Sequence, residues 1–416
     1  MVRSQSAKAH ILAVALALLA AACTGSGVSD GPDLANSPST AVQSTTVPST
    51  TQPSTTVPST TQPPTTLPST TTTTKPEPVA ETDPAVLAEF IGANNGEYDL
   101  EEAELTVREL EPQENKENLR TEQFVDQAQW TLFQVLGLVS PGADAEAVAQ
   151  HRIDTVRGVC CPVRMWDNED HPLLRSTVLV HELTHLADRE RPRFGDTDEE
   201  DAAVAQREQV SLFSVPTEGN ASRVQRLYQA ELEAEGARAE RFIIDWSGPA
   251  VPEVMVRVWE FAYVDGQTFM QELAERGGDE LVDLAFQRPP ISSEQVYDVD
   301  AYLNEEFPIV VEPPQIPAGA TQLEPSLTLG SFVLQMLAEQ SLTPEEAQSL
   351  ATSWAGDTAI LYEDNGQWCI DATIAMDNPG AALDLVIVLD AAGIEAGVVA
   401  GEADTVDLNN CIPAPS

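Results

Sequence analysis

His181-Glu182-Leu183-Thr184-His185 is the stretch of this chain whose residue types and spacing could do chemistry. Residues four apart on an α-helix lie one above the other, so His181 and His185 can offer two imidazoles to a single metal ion. The H-E-x-x-H order sets Glu182 beside that ion. Zinc held by three protein groups keeps a fourth position for water and lowers its pKa to about 7, where a neighbouring carboxylate can take the proton. The spacing therefore predicts Zn2+ as cofactor and Glu182 as general base. With only five histidines in the chain, chance is a weak explanation of the pattern.

Such a site needs a rigid support, and the flanks predict one. Over residues 172–188, apolar residues recur at Leu174, Val178, Leu179, Leu183 and Leu186, the spacing of a helix with one buried face. Pro172 suits its first turn, and Asp167, Asn168 or Asp170 could cap it. Residues 156–166 read as a strand leading into that helix, and an extended substrate could pair with its edge.

The third ligand must come from elsewhere. No histidine follows His185, so the three-histidine metzincin arrangement is excluded and a carboxylate has to complete the set. Glu208, Glu218, Glu231, Glu235 and Asp245 all lie downstream, and spacing alone does not choose among them. Glu218 stands out by its setting, Val215-Pro-Thr-Glu-Gly-Asn-Ala221, where Gly219 permits close backbone approach at the start of a long helix predicted over 218–246.

At this point the chain resembles the bacterial gluzincin-type zinc metallopeptidases whose signature runs H-E-L-T-H-A-L and later E-G-D-A. Phe261-Ala-Tyr-Val-Asp-Gly266, Pro289-Pro-Ile-Ser-Ser-Glu-Gln295 and Ser353-Trp-Ala-Gly-Asp357 are similar, in order, to that family's Y-x-x-G, P-x-S-T-E-Q and G-W-G-G-D stretches. The resemblance implies a zincin-like domain with His181, His185 and Glu218 as metal ligands and Glu182 as base. It implies peptide-bond hydrolysis and names no substrate. The chain departs from the family in His185-Leu-Ala-Asp-Arg-Glu190, in Tyr297-Asp-Val, and in Asn220 where an acid is usual. For a donor to the reaction's oxyanion, Tyr263, Tyr297, His171 or an arginine are candidates, but the tyrosines read better as packing residues and His171 as part of a turn, and none is assigned.

The fold expected is α+β and mainly helical. Helices are predicted over 122–138, 254–274, 279–286, 327–340, 344–354 and 381–389. Residues 358–363 and 367–375 flank Asp364-Asn365-Gly366 and read as a β-hairpin, with a final strand near 398–406. The roughly 340 residues from Glu77 onward are ample for one large core or two smaller ones. A zincin-like domain is expected over 79–311, and a C-terminal α+β region over 312–416 packed on it, with the Pro-rich stretch 312–318 as the boundary.

The chain start bears on location. Arg3 and Lys8 precede an apolar run over 11–22, too short to span a membrane, which ends Leu19-Ala-Ala-Ala-Cys23. Residues 1–22 resemble a bacterial lipoprotein signal, in which Cys23 becomes the lipidated first residue. Residues 23–78 carry near-repeats of Thr-Thr-Val-Pro-Ser-Thr-Thr-Gln-Pro with little apolar to bury, a disordered, extended tether. The expected place is outside the cytoplasm, held to the membrane by lipid, with a secreted form as the other outcome. A formal net charge of −46 with no basic cluster argues against nucleic acid as a partner. The remaining four cysteines suggest disulfides in an oxidising compartment, Cys369 with Cys411 as the long-range pair and Cys160 next to Cys161 either bridged or free. A non-catalytic surface protein keeping the same scaffold is the competing reading, but such a protein would need the ligands without Glu182.

Overall fold

The computed structural model describes residues 78–96, 98, 100, 107–110, 124–166, 171–191, 205, 207–242 and 244–414. The leader, Cys23, the tether and the cap candidates Asp167, Asn168 and Asp170 lie outside them. Mixed helix and sheet make an α+β chain, and its central element is the helix Pro172–Ala187. His171 caps it, its Nδ1 accepting the Leu173 N–H at 3.2 Å, and Pro172 occupies the first turn, where no N–H is needed. The expected single apolar face is exceeded: all but Pro172, Arg175 and His185 are buried, because the helix runs through the interior rather than along the surface. Its buried hydroxyls are satisfied locally, Ser176, Thr177 and Thr184 each donating to a carbonyl one turn back.

A three-stranded sheet flanks this helix. Strands β1 (Arg108–Leu110), β2 (Gly158–Val159) and β3 (Arg164–Trp166) are ordered β1-β3-β2, with β1 parallel and β2 antiparallel to β3. The run 156–166 is thus two short strands and not one. Pro162 has no N–H for a ladder, and the backbone turns back through Cys160, Cys161 and Pro162. β2 is left with an edge that pairs with no other described strand.

The second essential element is the helix Val215–Glu235, which ends where Gly236 takes φ +115°, short of the predicted Trp246. It crosses the helix Asp265–Gly277 where Gly219 meets Gly266: a Cβ on Gly219 would stand 2.5 Å from the Gly266 carbonyl oxygen. The helix predicted over 254–274 is broken into Glu253–Glu260 and Asp265–Gly277, and Tyr263 lies in the break.

A buried polar network ties the two essential helices together. Asp188, at the end of the His181 helix, accepts from Arg191 Nε at 2.7 Å, from Asn95 Nδ2 at 3.0 Å and from Asn220 Nδ2 at 2.9 Å. Arg223 Nε donates to Asn220 Oδ1 at 2.9 Å, and Arg191 also pairs with Asp283. Asp188 and Asn220 are fully buried, so each bond is needed to offset their desolvation. Asn220 and Asp188 thus meet in one contact, the Asn220 amide serving the Asp188 carboxylate.

The C-terminal sheet has the order β4-β5-β6-β8-β7, antiparallel throughout: β4 (Thr321–Gln322), β5 (Trp354–Asp364), β6 (Gln367–Met376), β7 (Glu395–Val398) and β8 (Thr405–Pro413). β5 passes to β6 through Asn365 and Gly366, both at positive φ. The helices Gly330–Ala338 and Pro379–Ala391 lie against it. One apolar cluster runs from Trp130 and Phe133 through Phe261, Phe269 and Phe332 to Ile370 and Leu408, spanning the residues on both sides of the 312–318 stretch. A second joins Ile91, Met165, Leu179, Leu183, Val224 and Tyr228 around the His181 helix. Val215 belongs to the first and Val224 to the second, so Glu218 lies where the two meet.

Candidate metal centre

His181 Nε2 and His185 Nε2 are 3.1 Å apart, and Glu218 Oε2 stands 3.2 Å from the first and 3.4 Å from the second. These three lone-pair atoms form one face of a tetrahedron. Zn–N bonds of about 2.0–2.1 Å and Zn–O bonds of about 2.0–2.2 Å around a tetrahedral ion place neighbouring donors about 3.3 Å apart. Two imidazoles and a carboxylate fit zinc in both distance and donor type. Among the described residues this is the one group of three His, Cys, Asp or Glu side chains with such convergence.

The four-residue repeat of the helix brings His181 and His185 together, and the start of the next long helix delivers Glu218 against them. The other acids go elsewhere. Glu231, Glu235 and Asp245 are exposed, while Glu208 is buried and accepts the Ser293 N–H at 3.0 Å. Glu182 points to the sheet side and is buried; a Cβ on Gly158 of β2 would stand 2.7 Å from its Oε1. Glycine at 158 is what leaves room for this carboxyl group.

The two acids are driven in opposite directions. Burial pushes the Glu182 carboxyl up to about 8, against a lowering by His181, with the Glu218 charge adding to the rise. Burial also opposes ionisation of Glu218, but the facing imidazoles, His185 foremost, hold it well below the usual carboxylate range. One group is thus poised to carry a proton and the other to stay an anion, the division of labour that acid–base chemistry on a pair of carboxyls requires.

Tyr263 sits on this centre. Its ring stacks on His181 with centroids 5.8 Å apart and 21° between planes, and it makes a T-shaped contact with Trp246 at 5.1 Å. The phenol interacts with the Glu218 carboxylate and with the guanidinium of Arg152, and burial, then the Glu218 charge, raises its pKa. Arg152 is buried, 4.4 Å over the Trp246 ring. Tyr297 packs its ring on Phe261, and its buried hydroxyl meets no partner among the described residues. His171 is a helix cap.

The remaining segments of the family resemblance converge away from the ligands. Ser293 Oγ accepts the Phe332 N–H at 2.9 Å, and Asp357 accepts from Leu329 and Gly330 N–H at 2.8 and 2.9 Å and from Trp354 Nε1 at 2.8 Å. They build a joint at the start of the helix Gly330–Ala338 with Glu208 beside it. Cys369 and Cys411, paired across β6 and β8, are disulfide-bonded, as are Cys160 and Cys161.

Two contributors carried no usable sequence signal. Arg152 is a single arginine on the helix Ala145–Thr155, which the periodicity did not mark, and Asp188 is one acid among many. Gly158 had a signal, since a glycine within a strand-like run marks close approach of another group. No helix among the described residues is long and apolar enough to cross a membrane. Comparison with known families, with curated proteins and with solved structures finds no match to this chain. The family likeness therefore rests on the quoted motifs alone.

Proposed function

We propose that this chain is a zinc-dependent peptidase of gluzincin type, with His181, His185 and Glu218 as ligands in a zincin-like domain over 79–311. The observation that carries the reading is the tetrahedral spacing of three donor atoms, 3.1, 3.2 and 3.4 Å, with the buried Glu182 carboxyl next to them in the chain. Zinc bound there would supply Lewis acidity, polarising a carbonyl and easing ionisation of water. Glu182 takes the proton of the attacking water and returns it to the leaving amine, a shuttle suited to a carboxyl whose pKa lies near neutrality. The edge of β2 that pairs with no other described strand, beside Glu182, is suited to hold an extended peptide by main-chain hydrogen bonds, which favours peptides over small esters as substrates. In this reading the lipid on Cys23 and the tether over 23–78 hold the enzyme outside the cell membrane, and the C-terminal region 312–416 with its hairpin braces the domain.

Metal content of purified variants tests the ligand set. One zinc per chain is expected in the wild type, in Glu231→Ala and in Glu235→Ala, and loss of zinc in His181→Ala, His185→Ala and Glu218→Ala. Normal zinc binding by Glu218→Ala would remove the proposed third ligand.

A further inference from the structure

We propose that Asp188 and Asn220 are positioning residues of the metal centre. Their hydrogen-bonded contact sets the register of the helix Val215–Glu235 against the helix Pro172–Ala187, and so the place of Glu218 beside His181 and His185. This rests on the metal reading above and adds a part that the H-E-x-x-H pattern does not contain.

Metal-binding histidines are ordinarily oriented by a hydrogen bond at the ring nitrogen facing away from the ion. His181 has none: its Nδ1 is buried and meets no partner among the described residues. Its placement therefore depends on the helix that carries it and on how that helix lies against the one carrying Glu218. Apolar burial between the two is non-directional, whereas hydrogen bonds prescribe both distance and angle.

The pair stands within one turn of the ligands on both helices. Asp188 follows His185 by three residues and Asn220 follows Glu218 by two, roughly 4.5 and 3 Å along axes that rise about 1.5 Å per residue. The Asn220 amide reaches both Asp188 oxygens, at 3.0 and 2.9 Å. Each partner is held from behind, Asn220 Oδ1 by Arg223 Nε at 2.9 Å and Asp188 by Arg191 Nε at 2.7 Å. Asn95 bridges them: its Nδ2 donates to Asp188 at 3.0 Å, and its Oδ1 accepts from Asn220 at 2.9 Å and from Arg191 at 2.7 Å. All five side chains are buried, and none of their buried polar atoms lacks a partner. A network satisfied throughout specifies one arrangement, because a slide of either helix strands a buried donor or acceptor. Gly219, between Glu218 and Asn220, seats the same turn on Gly266 of the helix Asp265–Gly277. Glu218 is thus set against one neighbouring helix by close backbone approach and against the other by hydrogen bonds.

The test compares the full chain with Asp188→Asn, with Asn220→Asp and with the exchange of both. Asn220→Asp sets two carboxyl groups face to face and Asp188→Asn sets two amides so, whereas the exchange restores one donor and one acceptor with the charge unchanged. Asn220→Ser, which adds no charge and keeps a hydroxyl, is carried alongside, so that the result does not depend on the charged variants folding. The control is Leu232→Ala, which truncates the buried face of the Glu218 helix about four turns from the ligand. Zinc affinity is measured by competition with a chromophoric chelator under conditions where circular dichroism shows each metal-free chain folded, and the absorption spectrum is recorded after cobalt(II) replacement. Each single change at 188 or 220 is expected to weaken zinc binding about tenfold or more and to shift the cobalt spectrum, and the exchange to recover most of the loss. Leu232→Ala should lower the melting temperature and leave both metal readouts at their wild-type values. Wild-type affinity and spectrum in the folded single variants overturn the proposal, as does an exchange that binds zinc no better than they do. An equal loss in Leu232→Ala also overturns it, since the pair would then supply stability alone. A wild-type chain that binds no zinc overturns the metal reading itself, and this proposal with it.

Discussion

Replacing Gly158 by alanine should disable the site while leaving its metal ligands intact. The added methyl would stand 2.7 Å from Glu182 Oε1, 2.9 Å from Cγ and 3.0 Å from Cδ, where ordinary van der Waals contact begins at 3.4 Å. Glu182 is only 6% exposed, so the carboxyl has no open space to retreat into. It must shift by roughly 0.7 Å or turn away, and a misplacement of about 1 Å costs on the order of 10²-fold in rate. The overpacking also costs about 1–3 kcal/mol of stability, visible as a modest fall in melting temperature. The assay is cleavage of a peptide library, with kcat/KM on a selected peptide and zinc content measured on the same samples. Gly158→Ala is expected to hold one zinc and to lose about two orders of magnitude in rate. In a Glu182→Gln background the same substitution should cost nothing further, since both changes act on one group. A Gly158→Ala enzyme at the wild-type rate, or a loss that persists undiminished in the Glu182→Gln background, would refute the placement of Glu182 against β2.

Two further outcomes follow from other parts of the molecule. Glu208, its carboxyl pushed up to about 8 by burial, keeps its proton in the folded chain where the unfolded chain has lost it, so unfolding releases a proton and stability declines as pH rises from about 4.5 through 8. Glu208→Gln removes that decline and should exceed the wild type in stability by a few kcal/mol near pH 8, the gap closing by about pH 4.5; chemical denaturation at several pH values checks this, and a gap that does not change with pH contradicts it. Gly219→Ala places a methyl 2.5 Å from the Gly266 carbonyl oxygen and should push the Glu218 helix off its neighbour, weakening zinc binding, whereas Gly266→Ala, whose nearest contact is 3.3 Å, should be milder; equal zinc affinities for the two variants would show that the crossing does not position Glu218.

Local rules made part of this structure legible before any tertiary contact was known. The helix at 172–187 follows from its apolar spacing and Pro172, and the turn at Asn365-Gly366 from the positive φ that those residues tolerate. Gly219 was marked as a point of close approach, and Gly266 is what approaches it. Other features were illegible because they are tertiary. Five acids were available to complete the histidine pair, and only the packing of Gly219 on Gly266 decides that Glu218 arrives there. Periodicity carried the Glu218 helix on to Trp246, but Gly236 ends it ten residues earlier and leaves Trp246 to pack in a T-shaped contact with Tyr263. The run 156–166 had strand propensity throughout, which a single proline without an N–H divided in two. Arg152 offered no local sign of its role, since its importance comes from Trp246 and Tyr263, more than ninety residues away in the chain.

The most direct test of the central claim is peptide cleavage by Glu182→Gln at full zinc occupancy. General acid–base assistance is worth about 10²–10⁴-fold, so the account predicts a fall in kcat of that size with zinc content unchanged. A Glu182→Gln chain that binds one zinc and cleaves at the wild-type rate, or a zinc-loaded wild type that cleaves no peptide at all, would contradict it.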